Sequence, residues 1–176
     1  MRALVVHESM FGNTQTVARA VADGLSTVAG VEVDCAAVRS ASTDLAGVDL
    51  LVVGGPTHAF SMSRESTRAD AVTKGADEAV ASGPGIREWI EELEPTPSTA
   101  IAAFDTRVRR PRVPGSAARA ARKHLRSRGF KAVGPPTTFW VHGMTGPLHD
   151  GEEARARQWG ADLGTAWVAT QRALPS

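Results

Sequence analysis

Five short apolar runs, each closed by turn residues, constrain this chain more than any other feature. Residues 2–8 carry Leu4, Val5 and Val6 and stop at Ser9. Val31–Cys35 alternates, Val48–Val53 is almost wholly aliphatic and ends at Gly54-Gly55-Pro56, and Thr99–Phe104 is apolar; residues 130–142 hold a fifth run, interrupted by Pro135-Pro136. Runs of this length suit β-strands, and nearly continuous apolar strands suit a sheet covered on both faces. Helical patterns lie between them: Val17, Val21, Leu25 and Val28; Ile86, Trp89, Ile90 and Leu93; Ala117, Ala121 and Leu125; and Trp159, Leu163 and Trp167 within Glu152–Arg172. A weaker pattern covers 63–73. Strands alternating with helices predict a parallel α/β sheet in a single domain over residues 1–176. Ligands of such sheets bind beyond the carboxyl ends of the strands. That places the functional residues just after Glu8, Val53, Phe104 and Trp140.

Several function classes are excluded by what the residues lack. No apolar run is long enough to span a bilayer, and the first eight residues read as a strand ending in Glu8, not as a signal peptide. The lone Cys35 cannot form an internal disulfide, which makes a cytoplasmic location the expectation. His7, His58, His124, His142 and His149 show no helical zinc spacing, so no metal is expected. No Gly-x-Ser-x-Gly elbow occurs. A phosphoacceptor receiver needs an Asp at the end of the third strand, where this chain has Gly54-Gly55.

The first loop, Ser9-Met10-Phe11-Gly12-Asn13-Thr14-Gln15-Thr16, joins a buried strand to a helix and holds hydroxyls, amides and one glycine but no Lys or Arg. Such a loop can hold a phosphate on backbone N–H groups and a helix N-terminus, with Gly12 allowing close approach. It can equally be a hydroxyl-rich helix cap. Without Lys it is not a nucleoside triphosphatase loop, and it lacks the dinucleotide glycine fingerprint. The loop Pro56-Thr57-His58-Ala59-Phe60 supplies amides, an imidazole and a phenyl ring after the third strand; Phe104-Asp105-Thr106-Arg107 follows the fourth. Each also has a structural reading: Phe60 in the core, Asp105 capping a turn.

Ser-x-x-Gly-Asn-Thr after the first strand resembles the FMN phosphate loop of flavodoxins. Phe11 departs from the short-chain pattern and is similar instead to flavodoxin-like quinone reductases and the flavodoxin domains of larger flavoproteins. Gly-x-Pro-Thr at the third strand, and Phe-Trp-Val-x-Gly-x-x-Gly-Pro-Leu at Phe139–Leu148, extend the resemblance over nearly the whole chain. It implies a three-layer, flavodoxin-like sandwich with a five-stranded parallel sheet in the order 2-1-3-4-5. It implies FMN held by Ser9, Met10, Phe11, Gly12, Asn13 and Thr14 at the phosphate, by Pro56, Thr57, His58, Ala59 and Phe60 along the ribityl chain and ring, and by Phe104, Asp105, Thr106 and Arg107 at the pyrimidine edge. The chain contains no Tyr, so the Tyr that flavodoxins often stack on the second flavin face is missing, leaving that face open or covered by another side chain. Trp89, Trp159 and Trp167 read as core, and Trp140 lies near a strand end.

Residues 107–131 hold ten Lys and Arg and no Asp or Glu, although the whole chain is only +1. The reading assigns Arg107–Arg112 to an acidic partner rather than to nucleic acid, and expects its arginines to favour a reduced, anionic flavin. Ser66–Gly85, rich in Ala, Gly and charge, reads as a lid or partner-facing segment near the flavin. The functional expectation is an FMN-binding redox protein, either an electron carrier or a quinone reductase-like oxidoreductase. Its electrons would come from an external reductant, either a redox partner protein or a small molecule. The other class is a flavodoxin-like binding or regulatory module that has lost FMN.

Overall fold

The computed structural model describes residues 1–58, 61–94, 96, 98–109 and 114–172. The strands are β1 (Arg2–His7), β2 (Glu32–Ala37), β3 (Leu50–Pro56), β4 (Ala100–Val108), β5 (Lys131–Ala132) and β6 (Thr137–Val141); the helices are α1 (Asn13–Ser26), α2 (Glu65–Thr73), α3 (Glu78–Ala81), α4 (Ile86–Glu92), α5 (Ala117–Ser127) and α6 (Glu152–Arg172). The sheet runs β2-β1-β3-β4-β5, with β6 also on β4, and every pairing is parallel. The order 2-1-3-4-5 is the one expected.

The fifth position differs in detail. It is filled by two strands, because Pro135-Pro136 supplies no N–H to the ladder. Lys131 and Ala132 pair with Ala100 and Ile101, then Thr137–Val141 pairs with Phe104–Val108. The second strand spans Glu32–Ala37, a little later than its alternation suggests.

Side chains alternate across the pleat, so each central strand feeds two cores. Val5, Val52, Ala102 and Phe104 pack beneath α1 and α6, together with Phe139 and Trp167. Val6, Val53, Ile101 and Ala103 face the other side, with Trp89, Ile90, Ala121 and Leu125 from α4 and α5. Trp89 and Trp167 are core residues, and Trp159 meets Phe104 and Phe139 edge-on at ring separations of 6.1 and 6.0 Å. Two close approaches need glycine. Gly54 lies across the ladder from Phe104, and a Cβ there would fall 2.0 Å from the Phe104 ring. Between α1 and α6, a Cβ on Gly24 would lie 1.9 Å from the Arg157 carbonyl, so these helices touch backbone to backbone.

Among the described residues, no helix is long and apolar enough to cross a membrane. The Ser66–Gly85 segment, read as a lid or partner-facing segment, folds as α2, α3 and their connections. Ala71, Ala76 and Ala81 pack on Met10 and Phe11, on the outer flank of the first loop.

Candidate functional site

The amino end of α1 is left open. Its N-cap is Gly12, at φ +84°, with no side-chain cap. The first bond of the helix runs from Thr16 N–H to Gly12 O at 3.0 Å. The amides of residues 10–15 therefore have no acceptor among the described residues. The hydroxyls of the loop do not fill the gap. Thr14 Oγ1 pairs with Thr106 Oγ1 at 2.7 Å in the interior, Thr16 Oγ1 donates to Gly12 O, and Ser9 Oγ is buried without a partner among the described residues. The self-capped alternative is thus not what this loop adopts.

The amino end of α5, at the same edge of the sheet, shows the opposite arrangement. Ser116 Oγ accepts from Arg119 N–H at 3.1 Å, and Thr57 Oγ1 accepts from Ala117 N–H at 2.9 Å. Asp105 Oδ2 accepts from Thr57 Oγ1 (2.9 Å), Ser116 Oγ (2.5 Å) and Ala118 N–H (3.1 Å). Two helix termini with similar hydroxyl-rich approaches therefore differ in one respect: α5 is saturated from within, and α1 presents free donors.

Ser9, Met10, Phe11, Asn13, Thr14, Pro56, Thr57, His58, Thr106 and Arg107 line one cleft. It encloses about 70 Å³ and is completed by Val108, Val141 and Met144. Thr57 N–H donates to Thr106 O at 2.9 Å and ties the loop after β3 to the end of β4, while reciprocal 2.9 Å bonds between His58 and Ser61 close the turn after β3. Burial, reinforced by the Lys74 charge, lowers the His58 pKa against a smaller upward pull from Asp70. Its Nε2 is buried without a partner among the described residues. Arg107 donates to Gly115 O and stands 5.8 Å over the Trp140 ring, so it is anchored at the rim.

Phe104 and Asp105 lie behind the cleft, and Gly12 serves it through its backbone. Phe104 is in the core beneath α6, because β4 continues to Val108 and the loop begins later than its composition suggests. Asp105 is fully buried and acts on the cleft through Thr57 and α5. Gly12 borders a neighbouring cavity, and a Cβ on it would meet nothing within 4 Å; its role is the positive φ. Ala59, Phe60, Arg110 and Arg112 lie outside the described residues.

The end of β6 and the segment after it, where the sequence placed functional residues just after Trp140 without naming them, supply Val141 and Met144 to the wall. Asn13 Nδ2 donates to Thr145 O at 3.0 Å, and a Cβ on Gly146 would strike the Asn13 side chain at 2.4 Å. The Gly-x-x-Gly-Pro-Leu turn carried a signal for this approach, but its contact is 132 positions away in sequence.

No family model and no curated protein matches the chain. Solved structures do. A flavodoxin from the domain Archaea aligns with 20% identity and a TM-score of 0.64, over 96% of this chain and 99% of that one. Flavodoxin 2 from Bacillus cereus aligns with 16% identity and a TM-score of 0.67, over 97% and 99%. The flavodiiron protein from Giardia intestinalis aligns with 20% identity and a TM-score of 0.61, over 99% of this chain but 38% of its own. The fold is therefore flavodoxin-like over the length of the chain.

Proposed function

We propose that this protein binds FMN at the cleft and serves as a redox protein, passing electrons between an external donor and acceptor. One observation carries the reading: the α1 terminus presents unpaired amides and the orphaned Ser9 hydroxyl to a cleft that the loop after β3 and the end of β4 complete. Free amides at a helix N-terminus bind phosphate without a basic side chain. The residues present fit the group. Ser9 and the amides of residues 10–15 would hold the phosphate; Pro56, Thr57 and His58 on one side and Thr106–Val108 on the other would flank the remainder. The enclosed volume of 70 Å³ is far below the ~300–1,000 Å³ of ligand-burying pockets. A cleft of this size would hold the phosphate end, and the His58 and Arg107 side chains would flank the remainder. When bound, the flavin supplies the electron-transfer chemistry, and the chain positions it and sets its electrostatics. A neutral His58 offers Nε2 to the ligand, and Arg107 adds positive charge at the rim.

Arg107 to Arg112 would receive an acidic partner, whose association should weaken with salt. An oxidoreductase of the quinone-reductase kind and a pure electron carrier are both compatible with this site. The test is direct. The purified protein, reconstituted with FMN, should show a flavin absorption spectrum, and the cofactor released by heat should run as FMN on chromatography. Recovery of FAD would overturn the assignment. No flavin uptake at all would favour the FMN-free binding module instead.

A further inference from the structure

A second cavity lies on the other flank of the first loop, between the ends of β1 and β2 and the α2–α3 segment. It measures about 210 Å³, many times the ~10–15 Å³ that a single water needs. It shares Ser9 and Met10 with the main cleft but includes nothing from the loops after β3 and β4. Two wall residues, Glu8 and Arg68, are only 3% and 5% exposed. Each carries a buried polar atom without a partner among the described residues: Glu8 Oε1 and Arg68 Nε. Such groups are costly to leave unsatisfied.

The charges of the wall narrow the ligand. Arg68 is offset by Glu88 at 3.2 Å. Arg39 donates to the Ala79 carbonyl and has no ion pair among the described residues, so it is the uncompensated cation. His7 adds no charge near neutrality, since burial and the Arg19 charge lower its pKa to about 4. Burial pushes the Glu8 carboxyl up; Ser63, the Ile86 amide and Arg68 pull it down, and Glu88 pushes it up again. The net effect is upward. Glu8 Oε2 already accepts from Ile86 N–H at 2.8 Å. When Glu8 takes up a proton, its free end becomes a donor in the same wall as the Arg68 and Arg39 side chains. Val38 and Val80 give the same wall an apolar side.

We propose that this cavity binds a small monocarboxylate, its oxygens held by Arg39, Arg68 and the Glu8 carboxyl and its carbon chain against Val38 and Val80. One negative charge matches the single uncompensated cation; a phosphate dianion exceeds it. The site does not depend on the flavin assignment.

The experiment is a ¹H–¹⁵N NMR titration of the whole chain with butyrate, with acetate and inorganic phosphate as comparisons, at mildly acidic and mildly alkaline pH. Butyrate should give saturable shifts at the Val38 and Val80 amides and the Arg68 Nε–H, with tighter binding at the acidic pH. Arg39→Gln should weaken binding about tenfold or more, equivalent to ~1.4 kcal/mol, and leave FMN uptake unchanged. Glu8→Gln, which keeps a donor, should retain binding and lose its pH dependence. Absence of saturable shifts in the folded protein would mean that water alone fills the cavity and would overturn the proposal. Equal or tighter phosphate binding at these resonances would overturn the monocarboxylate class. Carboxylate binding in a protein that takes up no flavin would sink only the flavin reading.

Discussion

Asp105 offers the sharpest test of how the cleft is built. It is fully buried, and its Oδ2 is the common acceptor for Thr57, Ser116 and the Ala118 amide. Asp105→Ala removes that acceptor from three donors at once. Hydrogen bonds to a charged group contribute about 1.5–3 kcal/mol each, and the removal of a buried carboxylate refunds part of its desolvation cost. A net loss of roughly 3–5 kcal/mol is expected, as for other disrupted buried charge networks. At ~2–4 °C per kcal/mol for a domain of this size, Tm should fall by roughly 6–20 °C. Asp105→Asn, which keeps an acceptor oxygen, should lose about half as much. FMN affinity should fall in both, because Thr57 loses its anchor. Thermal and urea unfolding of the three proteins, with flavin titration of each, makes the comparison. If Asp105→Ala stayed within ~1 kcal/mol of the parent and bound FMN equally well, the idea that one carboxylate organises the later loops and α5 would be wrong.

Gly54→Ala should destabilise by ~1–3 kcal/mol or more through overpacking against Phe104; Phe104→Leu in the same chain should recover part of that loss, and failure to recover would point to a cause other than the ring. Gly12→Val should weaken FMN binding and cost about 1–2 kcal/mol, because φ +84° disfavours a β-branched residue; Gly12→Asn should be milder, and an equally tight Gly12→Val would refute the open-terminus account. His7 has its pKa lowered from 6.5 to about 4, so the unfolded chain binds the extra proton. Its stabilising contribution, at most about 3.5 kcal/mol at ~1.4 kcal/mol per pH unit, is present above pH 6.5 and lost as pH falls through 4. Glu8, shifted upward, works in the opposite sense, gaining stability as pH falls. His7→Gln should therefore flatten the acid limb of a urea-midpoint profile, and an unchanged limb would refute the linkage.

Most strands and helices were legible because they rest on local periodicity, whereas the sheet order was implied by the flavodoxin resemblance. Glu152–Arg172 forms one helix with the predicted bounds, and the proline pair marks the break between β5 and β6. The first loop could be read as a phosphate site or as a self-capped helix, and composition could not separate the two. What separates them is the non-local pair Thr14–Thr106, which removes one hydroxyl from capping duty. Phe104 was misplaced because an apolar run does not show where a strand ends, yet its parity with Ala100 and Ala102 puts it under α6. The α2–α3 segment packs through Ala71, Ala76 and Ala81, residues too small to print a hydrophobic stripe, so its seat against Met10 could not be read. The contact between Asn13 and Thr145 joins opposite ends of the chain and leaves no local trace.

The central claim is that the open amino end of α1 holds a phosphate. Fluorescence titration of the flavin-free protein with FMN and with riboflavin, which lacks only that phosphate, tests it most directly. Charge-assisted bonds from several backbone amides should contribute at least ~3 kcal/mol, so FMN should bind about 100-fold or more tightly than riboflavin, with one FMN per chain. Equal affinities would place the flavin elsewhere or hold it by its ring alone, and the account of the first loop would fail.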